Sequence, residues 1–169
     1  MFGREAIQDL RNWANKTNRK PLVIRGARQV GKTSLINKFG KEFDLYLSLN
    51  LDKKSDLHFF SKEAAPGQIF ESILVSKRLQ KPKGRVLLFI DEIQNSSLAI
   101  KSLRYFYEEM PGIYVIAAGS LLETLLHKQI SFPVGRVEYL ALRPCTFYEF
   151  LGALGEIPLQ EKLMTVSVP

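Results

Sequence analysis

Two glycines five residues apart, followed by a lysine and two hydroxyl side chains, are the residues of this sequence best suited to chemistry. The stretch GARQVGKTS, residues 26–34, stands between the apolar run PLVI and the helix-like segment LINKF. A glycine-rich loop between a strand and a helix can turn its backbone N–H groups toward one point, and the helix N-terminus adds partial positive charge. The pattern predicts a phosphate site.

Each position of this stretch has an expected part in that site. The glycines let the backbone bend around phosphates, Lys32 brings a full positive charge, and Thr33 ligates magnesium. The spacing Gly-x-x-x-x-Gly-Lys-Thr is a complete Walker A pattern in its strand–loop–helix setting. We expect nucleotide contacts from every residue of the stretch: Gly26, Ala27, Arg28, Gln29, Val30, Gly31, Lys32, Thr33 and Ser34.

A pair of adjacent acids, Asp91 and Glu92, follows the apolar run VLLFI. Acids often end strands at the solvent boundary, so the pair alone is ambiguous. Next to a phosphate loop the two carboxylates divide the work, with Asp91 holding the magnesium shell and Glu92 polarising the attacking water.

Two further side chains are candidates with open alternatives. Ser120 follows the strand-like IYVIAAG and could reach the γ-phosphate or the water, or it could cap the helix LLETLLHK with Glu123. Arg136, just before a fifth apolar segment, could stabilise phosphoryl charge in a neighbouring subunit or be an ordinary ion-paired arginine.

The elements that must position these residues alternate along the chain. An amphipathic helix opens it, and strand-like runs at LVI, LYLSLNL, RVLLFI, IYVIAAG and RVEYLAL are separated by helical patterns. This alternation predicts an α/β three-layer sandwich with a parallel five-stranded sheet. Residues 86–90 and 113–118 are apolar throughout and should be central, whereas 45–51 alternates and should be an edge.

Composition narrows the class of protein. The chain has 169 residues, one cysteine and two histidines, which does not favour a disulfide scaffold or a zinc site. It contains neither a membrane-span-length apolar run nor a signal peptide, so we expect a cytoplasmic location without a membrane partner. The net charge of +7 is concentrated before residue 42 and in KRLQKPKGR, residues 77–85. Either region could face nucleic acid or be merely solvated.

The stretches LVIRGARQVGKTSLI, LLFIDEIQ, YVIAAGSLLE and GRVEYLALRPCTFYEFL together resemble the prokaryotic AAA-like P-loop ATPases that often carry a nuclease-like C-terminal domain. The resemblance implies strand order 5-1-4-3-2, a Walker B motif at Asp91 with catalytic Glu92, sensor 1 at Ser120, and an arginine finger at Arg136. It also implies an ATPase core at residues 1–155. Residues 156–169 would begin a helical lid and a further region, whose absence here would weaken turnover.

Three functions were compatible with a phosphate loop. A GTPase would need an Asn-Lys-x-Asp motif, which the strings NKTN and NKFG do not complete. A small-molecule kinase would not require the acid pair, and it would show an arginine-rich lid after the fourth helix, which the string LLETLLHKQISFPVG does not supply. We therefore expect ATP and Mg²⁺ as ligands and ATP hydrolysis, with homo-oligomerisation open. The alternative is a slowly hydrolysing switch that acts on nucleic acid or a protein partner.

Overall fold

The computed structural model describes residues 6–119 and 132–165, in which seven α-helices, two 3-10 turns and five strands alternate. The bounds of these elements are α1 Ala6–Ala14, β1 Leu22–Arg25, α2 Lys32–Gly40, β2 Leu45–Asn50, α3 Lys54–Leu57, α4 Pro66–Ser76, β3 Val86–Asp91, α5 Ser97–Glu109, β4 Ile113–Ala118, β5 Glu138–Ala141, α6 Phe147–Leu154 and α7 Ile157–Thr165, with the 3-10 turns at His58–Phe60 and Ile93–Asn95.

All five strands run parallel, in the order β2-β3-β4-β1-β5. Read from the other edge, this is the predicted order 5-1-4-3-2. The predicted positions within the sheet are also confirmed: β3 is buried along its whole length, and β2 lies at one edge with Ser48 exposed between buried Leu47 and Leu49. The parallel arrangement brings the carboxyl ends of β1, β3 and β4 together along the carboxyl-terminal edge of the sheet, and the segments before the strands along the opposite, amino-terminal edge.

Apolar side chains on the two faces of the sheet form two cores, which confirms the three layers. One core joins α1 and α2 to side chains such as Ile24 and Phe89, and the other joins α4 and α5 to side chains such as Val23 and Leu88. Alternate residues of β1 and β3 thus point into opposite cores, as the strand repeat of two requires.

Local signals set the helix ends that frame the sheet. Ser96 caps α5 by accepting a hydrogen bond from the N–H of Ala99 at 3.1 Å. Thr146 and Glu149 form a reciprocal capping box at the start of α6, and Gly155 ends that helix with φ of 79°. Part of the segment 156–169, which the sequence left without an element, forms α7 and packs against α6.

None of the helices within residues 6–119 and 132–165 has both the length and the apolar character that crossing a membrane demands.

Candidate functional site

The glycine-rich loop joins the end of β1 directly to the start of α2. Two residues in the loop adopt left-handed backbone conformations, Gln29 with φ of 63° and Gly31 with φ of 90°. Gly31 occupies the N-cap position, so no side chain caps the helix. The N–H groups of the first helical turn, which have no partner within the helix, are therefore left to a ligand at this end of the sheet.

Gly26 is required by the way β5 packs beside the loop. A Cβ atom placed there would lie 2.3 Å from the backbone oxygen of Leu142, the residue that follows β5. The N–H of Leu142 also donates to the carbonyl of Arg25 at 2.7 Å. The first glycine thus allows close approach of two backbones, whereas the sequence suggested only a bend around phosphates.

Lys32 is buried at the base of the loop, with 7% of its surface exposed. Its Nζ donates to the carbonyl oxygens of Gly26 at 2.9 Å and Ala27 at 2.8 Å. The ammonium group is thereby held against the loop backbone, on the same helical turn whose N–H groups face outward. The Lys32 charge and the partial positive charge of the α2 N-terminus thus lie at the same loop.

Thr33 and Asp91 meet across the site, although they are 58 positions apart in the chain. The Thr33 hydroxyl donates to Oδ2 of Asp91 at 2.7 Å, while Oδ1 accepts from the N–H of Glu92 at 3.1 Å. Burial raises the pKa of Asp91, and these two hydrogen bonds and the charge of Lys32 act in the opposite direction. A cation beside this carboxylate would favour its charged form.

Glu92 has an unusual backbone conformation at the turn after β3. Its φ of 52° and ψ of 45° are left-handed, which is uncommon for a residue other than glycine. Its Oε2 accepts a hydrogen bond from the Nε2 of Gln94 at 2.5 Å. The turn and the amide together fix the direction of the carboxylate. The sequence reading missed Gln94, whose only signal was an amide two positions after the acid pair.

An open cavity of about 680 Å³ adjoins the outer side of the loop. Val30 and Leu35 line it from the loop and α2, and Pro144 and Cys145 line it from the segment after β5. These apolar side chains suit the flat heterocyclic base of a nucleotide whose phosphates lie at the loop. Pro144 and Cys145 were not predicted, because only the return of β5 alongside β1 brings them to the loop.

The two remaining candidates stand apart from this cluster. Ser120 lies outside the residues that the structure describes. Arg136 precedes β5 and so lies at the edge of the sheet opposite the loop, where its Nε donates to Oε1 of Glu108 at 2.8 Å. The structure does not bring Arg136 to the loop of its own chain.

Comparisons with solved structures agree with this fold. The chain is similar in structure to a chain of the Drosophila ORC bound to DNA, with a TM-score of 0.60 and 14% identity over 95% of this chain and 48% of the other. It is also similar to the Aeropyrum pernix ORC1 protein in complex with DNA, with a TM-score of 0.57 and 14% identity over 95% and 50% of the two chains. The chain thus spans about half the length of these structures, and no curated protein matches it in sequence.

At 14% identity these structures establish a shared fold only. A family model, described as an AAA domain, matches residues 18–151. The matched segment contains the glycine-rich loop, the Asp91–Glu92 pair and all five strands. The chain therefore belongs to the AAA domain family and has the fold of an AAA-like P-loop ATPase domain.

Proposed function

We propose that this chain binds ATP together with Mg²⁺ at residues 26–34 and hydrolyses the bond between the β- and γ-phosphates, with ADP and inorganic phosphate as products. The observation that carries the proposal is the 2.7 Å contact between the Thr33 hydroxyl and the buried Asp91 carboxylate. It joins a loop that can hold phosphates to a strand end that can hold a hard cation. Membership of the AAA family supports adenosine triphosphate as the nucleotide.

Thr33 and Asp91 fit magnesium by the chemistry of their donor atoms. Mg²⁺ prefers oxygen ligands and is usually held by one or two protein groups together with substrate phosphates and waters. Within the described part of the chain, no group of three or more His, Cys, Asp or Glu residues could hold a metal without such help. When bound, the ion would neutralise charge on the phosphates.

The chain's own residues then divide the remaining tasks. Lys32 and the first N–H groups of α2 bind the phosphates, and the cavity beside Val30 and Leu35 receives the base. Glu92 accepts a proton from the attacking water and orients it, while Gln94 holds the Glu92 carboxylate in place. Ser120, which lies outside the described residues, keeps its proposed role as sensor 1.

Arg136 supports a proposed homo-oligomer in which one subunit completes the site of the next. Its position at the far edge of the sheet suits action on a neighbour, and Glu108 holds it until then. The alternative function is a switch that holds ATP and turns over slowly. The ion pair favours it for an isolated subunit, because the arginine is occupied there.

The test compares Glu92→Gln and Lys32→Ala with the unchanged chain. ATP affinity is measured by titration calorimetry with Mg²⁺, and hydrolysis by phosphate release. Glu92→Gln should retain ATP and lower turnover by about a hundredfold or more, because it removes a general base. Lys32→Ala should lose measurable binding, because the loop then lacks its buried cation.

Glu71→Gln is the matched control, because Glu71 is exposed on α4 and the substitution makes the same chemical change away from the site. Its binding and turnover should equal those of the unchanged chain. Loss of ATP binding in Glu92→Gln would mean that the roles of the two acids are reversed. Full affinity in Lys32→Ala would refute the phosphate site itself.

A further inference from the structure

A group of cations lies at the edge of the sheet where the strands begin, opposite the nucleotide loop. The parallel topology brings the segments before β1 and β3 to this edge together. We call the following six side chains the basic rim: Arg19, Lys77, Arg78, Lys81, Lys83 and Arg85. The last five belong to the cluster KRLQKPKGR, which the ATPase site does not use.

Two of these arginines are held against the same aromatic ring. The guanidinium carbon of Arg19 lies 3.4 Å from the ring centroid of Tyr114, at the start of β4, and that of Arg85 lies 5.0 Å from it. Phe43 packs edge-on against Tyr114 at 4.9 Å, and Arg85 also covers Phe43 at 4.7 Å. Cation–π contacts thus fix two positive groups in one place.

Three acids near this edge form ion pairs with cations outside the rim, whereas Asp44 lies against the rim itself. Glu42 pairs with Arg11, Glu138 with Lys16, and Glu108 with Arg136 and Arg104, while Asp44 accepts from the backbone N–H of Arg85 and Glu109 lines a cavity between α4 and α5. In residues 6–119 and 132–165, no rim cation forms an ion pair. Arg19 donates instead to the carbonyl of Pro111 at 2.8 Å.

Arg85 lies close enough to Arg19 for its charge to act unfavourably on the Arg19 guanidinium. Burial lowers the pKa of Arg19, and the charge of Arg85 lowers it further, although Tyr114 acts in the opposite direction. Each guanidinium group can donate forked hydrogen bonds to a phosphate oxygen pair. A phosphate bound here would offset the unfavourable effect of the Arg85 charge on Arg19.

From this arrangement we propose that the basic rim binds the sugar–phosphate backbone of a nucleic acid, independently of sequence. Five cations within the nine residues 77–85, joined to Arg19 through the shared contact with Tyr114, suit a polymer with a repeating negative charge better than a single anion. The faces of Tyr114 and Phe43 are covered by guanidinium groups, so they do not offer a stacking platform for bases. The contact is therefore with the backbone.

The position of the rim leaves the ATPase site free. Because rim and loop lie at opposite edges of the sheet, one chain can hold ATP and nucleic acid at the same time. The inference does not depend on the proposed hydrolysis, since no residue is shared by the two sites.

The test measures fluorescence anisotropy of a labelled mixed-sequence 20-base-pair DNA duplex, and of one of its strands, between 50 and 200 mM KCl. Each phosphate neutralised on a duplex contributes about −0.9 to the slope of log K against log salt, so six contacts give about −5. Lys81→Ser/Lys83→Ser should make the slope less negative by about 2 and lower affinity at 50 mM by about tenfold or more. Arg85→Gln should make the slope less negative by about 1.

Lys53→Ser/Lys54→Ser is the matched control. It removes the same charge from exposed positions after β2, at the opposite edge of the sheet, and should leave the slope unchanged. Thermal melts and ATP titrations on every variant separate a folding defect or a failed nucleotide site from loss of nucleic-acid binding.

Three results would overturn the inference. They are absence of binding to both duplex and single strand at 50 mM KCl, equal losses in the rim and control variants, and binding to vesicles containing phosphatidylserine without binding to DNA. The second would show an effect of net charge alone, and the third would assign the rim to a membrane surface.

Discussion

Replacing Gly26 by alanine tests whether the close approach of two backbones sets the shape of the loop. The new Cβ would lie 2.3 Å from the Leu142 carbonyl oxygen, whereas ordinary contact begins near 3.4 Å. One of the two backbones must therefore move by about 1 Å. Leu142 is not free to do so, because its own N–H donates to Arg25 at 2.7 Å.

The magnitude follows from these two contacts. Overpacking against a backbone atom costs about 1–3 kcal/mol, and weakening the hydrogen bond between Leu142 and Arg25 costs about 1 kcal/mol. For a domain of this size, a loss of about 2–4 kcal/mol lowers the melting temperature by about 4–16 °C. The displaced loop should also bind ATP less tightly, because its N–H groups no longer converge.

Differential scanning calorimetry gives the melting temperature, and titration with ATP and Mg²⁺ gives the affinity. Gly67→Ala is the control, since Gly67 lies in the first turn of α4 and a Cβ there meets nothing within 4 Å. It should leave stability unchanged or raise it slightly, as alanine is favoured over glycine in helices. If Gly26→Ala melts within about 2 °C of the unchanged chain and binds ATP equally, our reading of the contact with Leu142 is wrong.

Three other substitutions test the site. Burial raises the Asp91 pKa above its ordinary value of 3.8, so the charged carboxylate destabilises the folded state as pH rises through its folded-state pKa. In denaturant unfolding without Mg²⁺, the stability of Asp91→Asn relative to the unchanged chain should therefore increase between pH 4 and pH 7. A difference that stays constant over this range would contradict the prediction. Gln94→Leu should lower turnover by about tenfold or more at unchanged ATP affinity, since Glu92 loses its amide partner, and equal turnover would show that Gln94 does not position it. Arg136→Ala should leave ATP affinity unchanged but abolish any rise of specific activity with protein concentration, an effect of up to about a thousandfold; a rise that persists would exclude it as a finger.

The local features of this protein were predictable from its sequence, because they depend on neighbouring residues. The spacing of Gly26, Gly31 and Lys32 specifies a loop that opens a helix, and the apolar run before Asp91 specifies a buried strand with an acid at its end. Strand periodicity also placed 45–51 at an edge. The strand order came from the family resemblance and not from any pattern within the chain.

The long-range contacts were decided by the tertiary structure. Thr33 meets Asp91 because right-handed crossovers bring the ends of β1 and β3 to one edge of the sheet, and Leu142 meets Gly26 because β5 returns beside β1. The same topology gathers Arg19 and Arg85 around Tyr114 at the other edge. Periodicity reports only which face of an element is buried, whereas these contacts depend on which elements become neighbours.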